Sequence, residues 1–382
     1  MNTRVAITQV RREIFVEDNK RSLEERIYIT IKKLLKDSNR TIQDIDCISI
    51  SSNDQVDGRA ISIMASSGSV GGVGRDIIDA PSSGDHSLIM GYMRVLSGLY
   101  ESSLIVTWSM NEVDDLKAVQ NLTADPIYQR KLGIHDIAAY ALQASTYNDY
   151  YGISQEAVAQ IVVKNRAYAC NNSFAHLKKQ VTTDEILSSE YISWPLRKLM
   201  LPEISSGIVA MIIASENKIE EWGLDKESVA WIKGIGWASD SYWFDKNNLK
   251  DLNSLKSASA QAYRQANIKN PIKEINVAEI HDPTAYYELM SYEALGLCEA
   301  GKASIFLHEE LLQRDTIKIN PSGGALSTNP YFATGMMRVA EAALQVIGKT
   351  GDHQISNVQT SLATATSGFA GQNNSVFILS RD

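Results

Sequence analysis

The sequence predicts an α/β protein made of two similar halves, stacked as a duplicated five-layer αβαβα arrangement with an inserted cap. Three observations carry this reading. The stretch from Ser22 to Asp54 and the stretch from Ser254 to Asp282 run in the same order: an amphipathic helix, a short polar break, then an apolar strand that closes on polar residues. Ile42, Ile45 and Ile50 of the first match Ile272, Ile275 and Ile280 of the second. A second echo pairs Gly91-Tyr92-Met93-Arg94-Val95 with Gly335-Met336-Met337-Arg338-Val339, each inside a mostly apolar helix that follows a Ser/Gly-rich turn. Order as well as pattern repeats, which is the mark of an internal duplication, and strands alternating with helices imply sheets covered by helices.

The elements follow along the chain. Ser87–Leu99 is apolar on nearly every face and is expected to be a helix buried on all sides. Ser103–Ser109 reads as the strand after it. From Asn111 to Ile204 the symmetry breaks, with helices at Ala138–Tyr151 and Gln155–Cys170 and few strand signals, as in an inserted cap. The apolar run Ser206–Ala214 is a buried strand returning to the first half. In the second half, Ala333–Ile347 is the counterpart of the first buried helix and Val376–Ser380 its following strand. The organisation is therefore a first half of residues 1–110 plus 205–225, a cap of 111–204 and a second half of 226–382.

Bulk properties exclude several classes. A chain of 382 residues with 44% hydrophobic and 21% charged residues fits two or three packed units with a large core. The formal net charge of -8 and scattered basic residues argue against nucleic acid as a partner. No apolar run approaches a membrane span, and the opening MNTRVAITQV enters a strand-like run without a leader pattern, so a cytoplasmic protein is expected. Cys47, Cys170 and Cys298 lie far apart without metal-ligand spacing, so neither a disulfide framework nor a metal site is expected. Gly68–Gly74 is Gly-rich but lacks the lysine and the strand–loop–helix order of a nucleotide loop; it reads as a flexible loop near a subunit interface. Asn53–Gly58 begins like a calcium loop but lacks the distal glutamate.

The densest motif is Asn320-Pro321-Ser322-Gly323-Gly324-Ala325-Leu326-Ser327-Thr328-Asn329-Pro330, a Gly-rich turn ahead of the second buried helix. Five further segments stand in order with it. They are Ala80-Pro81-Ser82-Ser83-Gly84, Tyr151-Gly152-Ile153-Ser154 with Val163-Lys164-Asn165-Arg166, Pro202–Gly207, Glu279-Ile280-His281-Asp282, and Ala363–Gly371. Over nearly the whole chain this set resembles the thiolase superfamily, and within it the lipid-transfer (sterol-carrier) type.

The resemblance implies a thiolase-like fold and a coenzyme A thioester as substrate or ligand, with no other cofactor. It also implies that the usual chemistry is gone. The family's nucleophilic cysteine at the start of a buried helix falls on Pro81, a residue suited to a first helical turn. A slip of one position would put Ser82 there, with His86 as the base it would need. The loop that carries the second family cysteine holds none here, and neither Thr364 nor Thr366 is basic enough to replace it. The catalytic histidine of the Asn-x-x-Gly-Gly…Gly-His-Pro pattern falls on Asn329, which can donate a hydrogen bond but cannot shuttle protons. His281 survives, and the resemblance gives it an oxyanion role. Ser82, Ser83, Gly324 and Gly368 are the expected substrate-binding positions.

Three functions are compatible with these residues. The first is an acyl-CoA-binding subunit of a hetero-oligomeric thiolase or acyltransferase complex, without a nucleophile of its own. It would be paired as a homodimer, or as a heterodimer with a thiolase paralogue, with a zinc-ribbon/OB-fold protein as a further partner. The second is a retro-aldolase-type lyase on a β-hydroxyacyl-CoA, using His281 and a tyrosine, Tyr331 foremost, with Tyr286 and Tyr287 in neighbouring segments. The third is a scaffold with a collapsed pocket.

Overall fold

The computed structural model describes residues 3–15, 21–244, 248–312 and 317–382, so Met1 and Asn2 of the strand-like opening lie outside the described residues. The first half runs β1 (Val5–Phe15), α1 (Leu23–Asp37), β2 (Cys47–Ser51), α2 (Asp54–Asp57), α3 (Ser62–Ser66), β3 (Asp76–Asp79), α4 (His86–Leu96) and β4 (Ser102–Ser109). The following stretch holds α5 (Leu116–Asn121), α6 (Asp136–Tyr151), α7 (Gln155–Ala169), α8 (Thr183–Ser188) and a small hairpin, β5 (Tyr191–Ser193) and β6 (Leu196–Arg197). The chain then returns as β7 (Ser206–Ser215) and α9 (Glu216–Glu221). After that come β8 (Ala230–Ser239), α10 (Asn253–Ala266), α11 (Pro271–Glu274), β9 (Val277–Glu279), α12 (Ala285–Ala294) and α13 (Ala303–Leu311). The last elements are β10 (Lys318–Ile319), α14 (Gly324–Ser327), α15 (Thr334–Ile347), β11 (Thr360–Ser367) and β12 (Asn373–Ser380).

The main strands form one 10-stranded sheet in the order β10-β9-β11-β12-β8-β1-β7-β4-β2-β3. Read outward from its centre, β1-β7-β4-β2-β3 and β8-β12-β11-β9-β10 are the same arrangement written twice. In each, an antiparallel trio continues into two parallel pairings. Within the sheet, the halves meet where Ala6 and Ile7 of β1 pair with Trp231 and Ala230 of β8.

Local sequence explains the helices that cover the sheet. Ser22 caps α1 reciprocally with Glu25, and Leu23, Ile27, Ile31 and Leu34 line one face at helical spacing, packing on Ile48, Leu104 and Ile208. The duplicate, α10, packs Leu255, Ala258 and Ala262 on the outer face of the other half. Between the halves lie α4 and α15, whose Leu88, Ile89, Val95, Met336, Val339 and Val346 form one core with Val209 and Phe377. Helix, sheet, helix pair, sheet, helix make five layers. Gly335 lets α15 press onto the sheet: a Cβ there would stand 2.4 Å from the Ala365 Cβ.

Two expectations about elements are corrected. The helix α15 is buried on all sides apart from partial exposure at Leu344 and Ile347, but α4 is not: Met93 and Leu96 remain 42% and 40% exposed. Only α15 lies between sheet and sheet along its whole length. The Gly68–Gly74 loop is anchored rather than loose. Val70 is fully buried, and Gly71, at φ 80°, sits so close to Ile42 that a Cβ would fall 2.7 Å from it.

Candidate active site

At one end of the parallel strands, a cavity of about 230 Å³ opens between the two halves and the helices α5 and α6. Its lining includes Ser82, Ser83, His281, Asn329, Tyr331 and Gly368, brought from four separate parts of the chain. Two other expected positions fall elsewhere. Pro81 is an exposed turn residue, and α4 does not begin until His86, so Pro81 does not serve as a first helical turn. Ser82 shares that turn, off the helix, and does not sit one helical turn from His86. Gly324 does not line the cavity. It is buried at φ 65°, where a Cβ would stand 2.7 Å from both carboxylate oxygens of Asp282; close packing, not ligand contact, requires glycine there.

The Asn320–Asn329 motif builds the wall behind His281. The Asn320 side chain accepts from the Ile280 N–H at 2.6 Å and donates to Glu288 at 2.9 Å. Asp282 accepts the backbone N–H of Ala325 and the Asn165 amide of α7, the latter at 2.9 Å. Lys164, also on α7, reaches Glu288 at 2.6 Å and Glu310 at 3.4 Å. Arg338 of α15 holds Glu279 at 3.0 Å and Ser322 at 2.7 Å. Lys164 with Glu288 and Glu310, and Arg338 with Glu279, are buried charges answered by opposite ones, which avoids the large cost of an unpaired buried charge. Asp282 is met by neutral N–H donors, and burial pushes its carboxyl up. The network fixes the loop from Ile280 to Thr284 against the rest of the molecule.

His281 is the outcome of that bracing. Its backbone N–H donates to Thr364 Oγ1 at 2.9 Å, and its Nδ1 accepts from the Thr366 N–H at 3.1 Å. Burial brings its basicity down to about 3, helped by the Arg338 charge and opposed by Asp85. The ring is therefore neutral near pH 7, and because Nδ1 is an acceptor its proton sits on Nε2. Asn329 is oriented in the same sense. Its Oδ1 accepts from Thr334 Oγ1 at 2.6 Å, which leaves the Nδ2 amide hydrogens to donate. Two neutral N–H donors thus line one cavity.

Tyr331 supplies a different chemistry. Its backbone is held at φ 34°, a region costing a non-glycine residue about 1–3 kcal/mol. Gly84 permits the approach of this segment, since a Cβ there would stand 2.6 Å from the Phe332 carbonyl oxygen. The Tyr331 hydroxyl donates to Asp136 Oδ2 at 2.9 Å and accepts from Gln120 Nε2 at 3.1 Å. Burial raises the tyrosine's pKa, and so does the Asp136 charge. Burial also pushes the Asp136 carboxyl up to about 6, while its bond from Tyr331 works against this. Tyr286 and Tyr287 do not line the cavity; Tyr287 bonds Thr366 and Asn374, both at 3.0 Å, as a packing residue. Asp136 and Gln120 escaped the sequence reading, although a His135-Asp136 pair opening a cap helix was visible in the sequence.

Relatives were found by sequence and by structure. Residues 237–381 match the family model described as thiolase C-terminal domain-like. The "Acetyl-CoA acetyltransferase" of Methanocaldococcus jannaschii is 29% identical over 273 residues, 70% of this chain and 69% of that protein. Sterol carrier protein 2 of Oryctolagus cuniculus is 29% identical over 297 residues, 74% of this chain. The chain belongs to the thiolase superfamily, in its sterol-carrier type. This thiolase-superfamily chain spans about half the length of that sterol carrier protein (54%). Among solved structures, the Ltp2-ChsH2(DUF35) aldolase superposes with a TM-score of 0.83 at 20% identity, covering 99% of this chain and 98% of that one. Its fold is that of this thiolase-superfamily chain. None of the three cysteines lines the cavity.

Proposed function

We propose that this chain is an acid–base lyase that cleaves a β-hydroxyacyl-CoA by a retro-aldol reaction, without a covalent acyl-enzyme. The observation that carries the reading is the Tyr331–Asp136 pair facing the same thiol-free cavity as His281 and Asn329. Asp136 draws the Tyr331 proton as the Tyr331 oxygen takes the proton of the substrate β-hydroxyl. A carbonyl forms at Cβ and the Cα–Cβ bond breaks. Its electron pair moves into the thioester as an enolate, whose oxygen is stabilised by His281 Nε2–H and Asn329 Nδ2–H. Donors of this type contribute about 10²–10³ in rate each. Cα then takes up a proton. A carboxyl pKa near the working pH suits a general base.

A non-catalytic acyl-CoA-binding subunit would keep the two donors but has no use for the Tyr331–Asp136 pair. A collapsed scaffold is at odds with a cavity of about 230 Å³. The aldolase designation of the structural neighbour supports the same class of chemistry, and its DUF35 component supports a hetero-oligomer with a DUF35 partner.

The test is incubation with a panel of β-hydroxyacyl-CoA thioesters, with the genomic neighbours present. Release of a carbonyl compound and a shortened acyl-CoA is expected, with the intact mass of the protein unchanged. Tyr331→Phe is expected to lower this rate by about 10²–10⁴. A stable acyl adduct on Ser82 or elsewhere, or cleavage that requires free CoA, would overturn the reading.

A further inference from the structure

The retro-aldol reading leaves one step without a residue: the proton that Cα gains after the carbon–carbon bond breaks. Tyr331 and Asp136 are occupied with the β-hydroxyl. The cavity lining holds a second group of titratable atoms, reached through Ser83. Ser83 lines the cavity and is 7% exposed, and its Oγ–H donates to Asp85 Oδ1. Asp85 is 1% exposed, and its Oδ2 is buried with no protein partner. That oxygen is 3.7 Å from His86 Nδ1, which is also unpartnered. Ser83, Asp85 and His86 together line a separate pocket of about 20 Å³, with Asn373, Ser239 and Trp237. This is enough for one water. The His86 side chain is 26% exposed, so the series runs from the cavity to solvent.

A buried carboxylate oxygen without a donor is costly unless it serves a purpose or holds a water. Its place here is specific. Asp85 is the residue before α4, where the helix terminus favours negative charge. It is also close enough to His281 to act on that ring's ionisation.

Resting on the retro-aldol reading, we propose that Ser83 is the catalytic residue that exchanges the Cα proton, and that Asp85 and His86 relay it to solvent. In the aldol direction, Ser83 Oγ takes a proton from Cα as its own proton passes to Asp85. Asp85 then releases it through the water-sized pocket and His86. The Cα–H electron pair becomes the enolate held by His281 and Asn329. In the cleavage direction the same path runs backwards: solvent to His86, to Asp85, to Ser83, to Cα. One proton enters by this route for each one leaving through Tyr331 and Asp136, and no oxidant or reductant is needed.

The experiment is α-proton exchange of acetyl-CoA and propionyl-CoA in D₂O, followed by mass spectrometry, which does not depend on carbon–carbon cleavage. Wild type is expected to wash deuterium into the α-position. Ser83→Ala and Asp85→Asn are expected to slow this by at least about tenfold while retaining thermal stability. Tyr331→Phe is expected to exchange at the wild-type rate while losing cleavage. Ser83→Cys, which keeps a proton on the side chain, is expected to restore part of the exchange. Exchange by Ser83→Ala and Asp85→Asn at the wild-type rate would overturn the relay and leave the lyase reading standing. So would a wild type that cleaves β-hydroxyacyl-CoA but exchanges no α-proton. A wild type that neither cleaves nor exchanges would remove both.

Discussion

Asp136 is half-buried against Tyr331, and burial pushes its carboxyl up to about 6. The carboxylate is the form that can draw the tyrosine proton. Below that value it is protonated, so kcat/KM on a β-hydroxyacyl-CoA is expected to fall about tenfold per pH unit as pH drops under 6, and to level off above it. His281 titrates near 3 and adds no limb in that range. Asp136→Asn should lower the rate by about 10²–10⁴ and flatten the acid limb. A pH–rate profile that keeps its limb near 6 in the variant would move the base elsewhere. His281 and Tyr331 could be singled out from the sequence because each stands in a short recognisable segment. Asp136 could not, because its role comes from a tyrosine 195 positions away in the chain.

At the scale of elements, the repeated Gly-x-Met-Arg-Val segment performs one job twice. Arg94 of α4 donates to the Ile48 carbonyl of β2 at 2.8 Å, and Arg338 of α15 bonds Glu279 of β9 at 3.0 Å. Since β2 and β9 hold equivalent places in the two halves, each arginine ties the inner helix to the same strand of its own sheet. The surroundings differ. Arg94 is partly exposed and pairs with an exposed Asp76, while Arg338 and Glu279 are fully buried. Arg338→Met would leave a buried carboxylate unpaired and is expected to cost about 3–5 kcal/mol in urea unfolding. Arg94→Met loses an ion pair with an exposed partner, a contribution of about 1 kcal/mol or less, along with its backbone hydrogen bond. Combining Arg338→Met with Glu279→Gln should recover part of the loss. Equal costs for the two arginines would contradict this account of the duplication.

For the whole molecule, the exposed face of α4 carries the next prediction. Met93, Leu96 and the following Leu99 are exposed, as are Ile61, Met64 and Val73 in the segment between β2 and β3. Large apolar groups left in water on a helix otherwise packed between layers favour association. A dimer is expected, with a second copy or with a paralogue, and Leu96→Glu with Met93→Glu should yield monomers by light scattering. A wild type that is monomeric at micromolar concentration, alone and with its genomic neighbours, would contradict the assignment of this face.

The architecture is legible in the residues alone: two copies of one helix–strand order, two apolar helices for the middle layer, and a thiolase-like set of motifs with proline and asparagine where a thiol and an imidazole are expected. Those features are local, written in periodicity and turn residues, and they survive translation into the sheet order and the five layers. Local pattern could not decide how far each inner helix is covered, because burial depends on what the other half places opposite it; α15 is enclosed and α4 is not. Nor could it decide the chemistry. Gly324 reads as a ligand-binding glycine until Asp282 is seen against it. The proton on His281 Nε2 follows from an amide 85 residues away. The Tyr331–Asp136 and Ser83–Asp85 pairs acquire their chemistry from burial beside one cavity that brings them together from distant parts of the chain, and burial and juxtaposition of that kind are set by the packing of the two halves, which no local pattern contains.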